Sequence, residues 1–127
     1  MSRFTRVDTI AVAVGATSLI GSNADVYDVS MRKKISFQFI RGNHSSGSSV
    51  FAVEVSNDGT NFVNYNRLTT NVTNTNAQTD IGVANATLSA AGSAIYFIRP
   101  GDHFRYVRGS LVNVTDGNGS IVMSTID

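Results

Sequence analysis

The chain reads as an all-β protein, a single-domain antiparallel β-sandwich, and three observations predict it. β-Branched residues dominate: 15 Val and 9 Ile stand against 4 Leu, 1 Glu, 2 Gln and 2 Lys, so straight-chain helix formers are scarce. Apolar residues recur with period two in short runs divided by Gly, Asn, Asp and Ser, and no segment keeps a helical period. At 127 residues the chain is long enough for one core and too short for two.

The first run, Thr9 to Val14, turns Ile10, Val12 and Val14 inward, and the second, Asp25 to Met31, puts Tyr27, Val29 and Met31 on one face. Lys34 to Arg41 alternates most cleanly, with Ile35, Phe37 and Phe39 on one side and Ser36 and Gln38 on the other. Gly42 to Ser49 is a loop by composition, and Val50 to Val55 follows with Phe51, Val53 and Val55 inward and Ala52 and Glu54 outward. Asp58-Gly59 supplies the positive φ of a hairpin whose return strand is Phe62 to Leu68. Thr69 to Ser93 is thinly apolar, with Ile81, Val83 and Leu88 as its large anchors, and reads as a long polar insertion. Ala94 to Arg99 is apolar on both faces and stops at Pro100-Gly101, the mark of a central strand. His103 to Val114 is a long strand with two candidate inward sets, Phe104 with Tyr106 or Val107 with Leu111, and Gly109 as a candidate bulge. Asp116-Gly117-Asn118-Gly119 makes a second hairpin turn into Ser120 to Thr125, which closes the sheet through Ile121 and Met123 or Val122.

Charged residues are 15% of the chain and the net charge is +1, while Ser, Thr and Asn together number 39, so the surface is polar through small neutral groups. The eight arginines fall in different runs and nearly as many acids offset them, which predicts no nucleic-acid partner. Cysteine is absent, which removes disulfides, thiolate metal sites and cysteine nucleophiles together. No run approaches the roughly 18 apolar residues of a spanning helix, and no membrane partner is expected. Asp8 interrupts the basic start Met1-Ser-Arg-Phe-Thr-Arg, so the chain reads as unprocessed and made in the cytoplasm.

Catalytic chemistry finds little to stand on. The two histidines are His44, in a Gly/Ser loop, and His103, after a proline turn, and no serine sits in a G-x-S-x-G elbow. With one Glu, a carboxylate pair would draw on Asp58, Asp80, Asp102 and Asp116, most of them in turns. Asn57, Asp58, Asp102, Asp116 and Asn118 carry the oxygens calcium would need, but without D-x-D-x-D spacing they read as turn caps. Tyr65, Tyr96 and Tyr106 are the rings on which a sugar could stack, and all lie inside predicted strands, where core or interface packing is expected. No catalytic, metal or cofactor residue is therefore predicted.

Three ordered pieces carry a resemblance: Val53 to Phe62, VEVSNDGTNF; Phe104 to Arg108, with its YVR strand; and Asp116 to Val122. They resemble discoidin-like jelly-roll domains and, more closely in length and order, small virion proteins of tailed bacteriophages. The sandwich is then jelly-roll-like, and the function implied is that of a non-enzymatic virion structural protein, a capsid decoration or auxiliary protein that binds and stabilises the capsid surface. The resemblance implies the major capsid protein or other virion proteins as partners and a homo-oligomer, for which a trimer suits a capsid site. The alternative is a carbohydrate-binding discoidin-like module on a phage tail or fibre. Two departures stand against carrying sugar binding over: Phe62 replaces the Trp of many relatives, and the 69–93 insertion is long and polar. The parts not needed to close the core are an N-terminal arm, residues 1–8, and that insertion within the 9–127 sandwich, so Arg3, Phe4, Arg6, Ile81, Val83 and Leu88 are the protein-interaction candidates.

Overall fold

The computed structural model describes residues 5–14, 25–42, 47–73, 80–89, 91–99, 101–114 and 117–126, with the backbone alone at 13, 71–73, 80, 81 and 113. Among them the strands are β1 (Thr5–Val14), β2 (Tyr27–Asp28), β3 (Lys34–Gly42), β4 (Ser49–Ser56), β5 (Val63–Asn64), β6 (Leu68–Thr73), β7 (Asp80–Val83), β8 (Asn85–Leu88), β9 (Gly92–Phe97), β10 (Tyr106–Val114) and β11 (Asn118–Ile126). They form two antiparallel sheets, one ordered β1-β11-β3-β9-β6-β7 and the other β2-β10-β4-β5, with β8 also paired to β4. The chain changes sheet at most connections, so each inner face is covered by strands adjacent in sequence.

Alternation explains the core. Phe37 and Phe39 of β3, Tyr96 of β9 and Ile121 and Met123 of β11 point from one sheet at Phe51 and Val53 of β4 and Val107 and Leu111 of β10. Phe39 stacks across the interface on Phe51 at 4.7 Å between ring centres and meets Tyr96 at 5.5 Å within its own sheet. The sheets pack tightly at Gly119, where a Cβ would stand 3.0 Å from both Leu111 Cδ1 and Phe51 Cε2. Arg41 continues the inward row of β3 and is itself buried, its Nη1 donating to Ser49 Oγ of β4 at 2.6 Å. The inward sets of Lys34 to Arg41 and of Phe51, Val53 and Val55 match the alternation in the sequence, and β9 is central between β3 and β6.

Several expectations are corrected. Residues 5–8 belong to β1, with Thr5 opposite Ile126 and Asp8 opposite Met123, so the boundary drawn at residue 8 falls inside a strand. Ile10 and Val14 pack against the core as expected, but register shifts on either side of Ala11 bury Ala11 and leave Val12 71% exposed. The second run pairs over Tyr27 and Asp28 alone, because the Arg32 N–H donates to the Val29 carbonyl and turns the chain, leaving Met31 84% exposed. The return strand splits: β5 covers two residues of β4, and by Leu68 the chain has crossed to the other sheet.

The stretch 69–93 is no insertion. It contributes most of β6, all of β7 and β8 and the start of β9, and Asn85–Leu88 alternates exposed and buried, with Ala86 and Leu88 in the core. Small polar residues serve this strand region well, since the buried Thr70 hydroxyl donates to the Ile95 carbonyl. On β10 the inward set is Val107 with Leu111, and the irregularity lies between Leu111 and Asn113 rather than at Gly109. Gly109 is instead a close-packing position, facing Ile10 and Ile121. The turn at Gly117, φ 84°, joins strands of different sheets and is a corner rather than a hairpin. Ala52 is buried although expected outward, being small and flanked by Ser110 of β10 and Asn85 of β8.

Candidate functional site

Of the six interaction candidates, Arg3 and Phe4 lie outside the described residues, as does the side chain of Ile81, whose backbone is in β7. Arg6 is exposed on β1 and its Nε contacts Asp8 at 3.0 Å. Leu88 is 3% exposed and Val83 packs against the core cluster, so both serve the interior and neither presents a contact surface. Their burial follows from β7 and β8 being strands of the sandwich rather than a loop.

A concavity lies at one end of the sandwich. A cavity of about 470 Å³ forms between the turn leading into β3 and the connection from β9 to β10. Its apolar surface comes from Val29, Ile35, Ile98 and Phe104, and its charged lining from Arg32, Lys33, Arg99 and Arg105, with Asp102 as the lone carboxylate. Backbone hydrogen bonds hold these walls: Val29 N–H to Arg105 O at 2.7 Å, Lys33 N–H to Ile126 O at 2.7 Å, and Ile98 N–H to Ile35 O at 3.1 Å. The Asp102 N–H closes on the Arg99 carbonyl at 3.1 Å, a turn that uses Gly101 at φ 94°, where a side chain would be strained. A second, more apolar groove of about 510 Å³ continues from it, sharing Lys33, Ile35, Ile98 and Gly101 and adding Phe97 and Ile126.

A polar knot braces this end. The Tyr65 hydroxyl donates to Asp102 Oδ2 at 2.6 Å and accepts from the Arg99 N–H at 3.0 Å, while Arg67 Nε reaches the same carboxylate oxygen at 2.8 Å. The Tyr65 hydrogen bond holds the Asp102 carboxyl below its ordinary value, with the Arg67 bond and the charges of Arg67 and Arg99 acting in the same direction. Burial, reinforced by Asp102, pushes the Tyr65 phenol up. Thus Asp102 stays ionised and Tyr65 stays a donor at neutral pH. Tyr65 also packs at 6.1 Å from Phe104, tying the knot to the cavity wall.

Arg105 faces Asp28 at 3.5 Å, and its own N–H donates to Asn57 Oδ1 at 3.1 Å. Asp28 is held below its ordinary value chiefly by the Ser30 hydroxyl and N–H. His103 is exposed, with Nδ1 3.5 Å from the Gly101 carbonyl, and His44 lies outside the described residues. Asp58 caps its own turn: Oδ1 accepts from the Thr60 and Asn61 N–H groups at 2.9 and 2.8 Å, and Oδ2 from Asn61 Nδ2 at 2.8 Å. Of the three tyrosines weighed for sugar stacking, Tyr65 and Tyr96 are buried, and the Tyr106 ring is covered by Arg105 at 5.2 Å and by the turn at Gly59. Among the described residues no three His, Cys, Asp or Glu side chains gather as a metal site would require. Sequence reading missed the cavity because its cations stand at 32, 33, 99 and 105; the run Arg32-Lys33-Lys34 beside a turn is the one local signal of it.

No protein-family model and no curated protein matches the chain. Two solved structures share its fold. The SPBc2 prophage-derived protein YomS superposes with a TM-score of 0.61 at 12% identity, over 100% of this chain and 96% of that one. The PBSX exported protein XepA superposes with a TM-score of 0.64 at 12% identity, over 100% of this chain and 39% of that one, so the chain spans about two fifths of XepA. At this identity the likeness is one of fold: a two-sheet antiparallel sandwich that also occurs in proteins of prophage origin.

Proposed function

We propose that the chain is a non-enzymatic structural protein of a phage particle, a capsid decoration or auxiliary protein that binds and stabilises the capsid surface. The observation that carries this reading is the end-to-end match to a prophage-derived protein of nearly the same extent, 100% of one chain on 96% of the other. The strand order adds support. Leaving aside β6, β7 and β8, the order β1-β11-β3-β9 in one sheet and β2-β10-β4-β5 in the other is compatible with jelly-roll wiring, an architecture used in viral shells. An ionised Asp102 locked by Tyr65 and Arg67 is poorly placed to act as a general acid, which favours a binding role over catalysis.

In this reading the lattice contact runs along β1, the outer strand of its sheet, which presents Arg6 and the apolar Val7 and Val12. The protein is then made in the host cytoplasm and carried in the virion, with the major capsid protein as its main partner and copies of itself as neighbours. Mixing the purified protein with emptied capsids of its parent phage and pelleting them tests this. Stoichiometric co-sedimentation is expected, weakened about tenfold or more by the double variant R6E/V7D. A monomer of 13.5 kDa that stays in the supernatant at all concentrations overturns the proposal. The sugar-binding alternative gains no support from the described surface, where none of the three rings is open for stacking.

A further inference from the structure

The cavity at the end of the sandwich concentrates charge that the chain otherwise keeps balanced. Four of the ten Lys and Arg residues line it, against one of the nine acids, in a protein whose net charge is +1. Two acids offset part of this charge: Asp102, which also accepts from Tyr65 and Arg67, and Asp28, which lies outside the lining and 3.5 Å from Arg105. With four cations and two carboxylates, the formal excess around this one concavity is about two positive charges. Such a cluster repels itself, and its self-repulsion falls when an anion occupies the cavity.

From this geometry we infer that the cavity is a binding site for a phosphate-bearing small molecule carrying at least two negative charges. Three features argue for phosphate over a lone carboxylate. The charge excess exceeds what one carboxylate neutralises, three of the four cations are arginines whose planar forks match phosphate oxygens, and about 470 Å³ admits a ligand larger than a simple ion. The walls are held by backbone hydrogen bonds from Val29, Lys33 and Ile98, so the site is formed before a ligand arrives. The adjoining groove over Ile35, Phe97 and Ile126 gives the ligand's non-phosphate portion an apolar bed. The inference does not rest on the virion reading, because it concerns the isolated chain.

Calorimetric titration of the purified protein with inorganic pyrophosphate at low salt tests it, with citrate as a tricarboxylate control. One-to-one binding is expected, weakening as sodium chloride rises and preferring pyrophosphate to citrate. Each arginine removed, R99Q or R105Q, is expected to weaken binding on the order of tenfold. K33Q, at an exposed position, serves as the variant that leaves folding untouched, and an unchanged melting temperature certifies each protein. No heat with pyrophosphate at low salt overturns the site, and equal affinity for citrate overturns the phosphate assignment. Tighter binding of a single-stranded oligonucleotide, lost in the same variants, replaces the small-molecule reading with a nucleic-acid groove.

Discussion

The middle of the sandwich and its cationic end are held together by different physics. In the middle, Phe37, Phe39, Phe51 and Tyr96 are fully buried and fill the space between sheets by shape and area. At the end, cohesion runs through directed contacts between residues far apart in sequence, with Tyr65 and Arg67 meeting Arg99 and Asp102. The first region is sensitive to lost volume and the second to a lost donor or acceptor. That difference teaches where the molecule can carry a binding site: polar groups braced by hydrogen bonds can line an opening that a ring-packed core would close.

The sharpest way to separate the two regions is to remove one member of each. Phe39→Ala empties the contact between sheets and should cost about 3–5 kcal/mol in denaturant unfolding. Gly119→Ala acts on the same region from the opposite side, driving a Cβ against Leu111 and Phe51, and should cost about 1–3 kcal/mol by the same measurement. At the polar end Tyr65→Phe keeps the ring against Phe104 and removes only the hydroxyl, so a loss of about 1 kcal/mol is expected. The Y65F and D102N effects should be strongly non-additive, and additivity would mean that the knot is not a unit.

The smallest effect concerns pH. Asp102 and Asp58 both titrate below the ordinary carboxyl value of 3.8 in the folded chain, Asp102 because of Tyr65 first and Asp58 because of the Asn61 amide first. Each therefore contributes stability that is fully present above that value and is lost as pH falls from it toward the lower folded value. D102N and D58N should flatten the acid limb of the stability curve while F39A shifts the whole curve without changing its slope. Melting temperatures taken between neutral pH and pH 2 check this, and an unchanged acid limb in both aspartate variants would remove these carboxylates from the account.

The ring-packed middle was legible in the sequence and the polar end was not. Ile35, Phe37 and Phe39 alternate over a strand long enough for the period to stand out, and the same holds for Phe51, Val53 and Val55. The strands β5, β7 and β8 run for only two to four residues, too few repeats for a period to register, and β8 is written Asn-Ala-Thr-Leu, which reads as loop. Arg41 joined the inward row of β3 unseen, because an arginine is read as a surface residue until Ser49 is known to face it. The knot and cavity depend on bringing residues near 30, 65 and 100 to one end of two sheets, and no local spacing encodes that.

The place of β11 bears on how the protein is made. β11 lies between β1 and β3, so that Thr5 finds its partner in Ile126. Until β11 leaves the ribosome, β1 lacks its one strand partner among the described residues and β3 shows an open edge on that side. The nascent chain must therefore wait, holding its large apolar rings in an unfinished sheet, and closes only after translation has passed β11. Translation speed and chaperone supply during that interval should govern the yield of soluble protein more than the stability of the finished sandwich does.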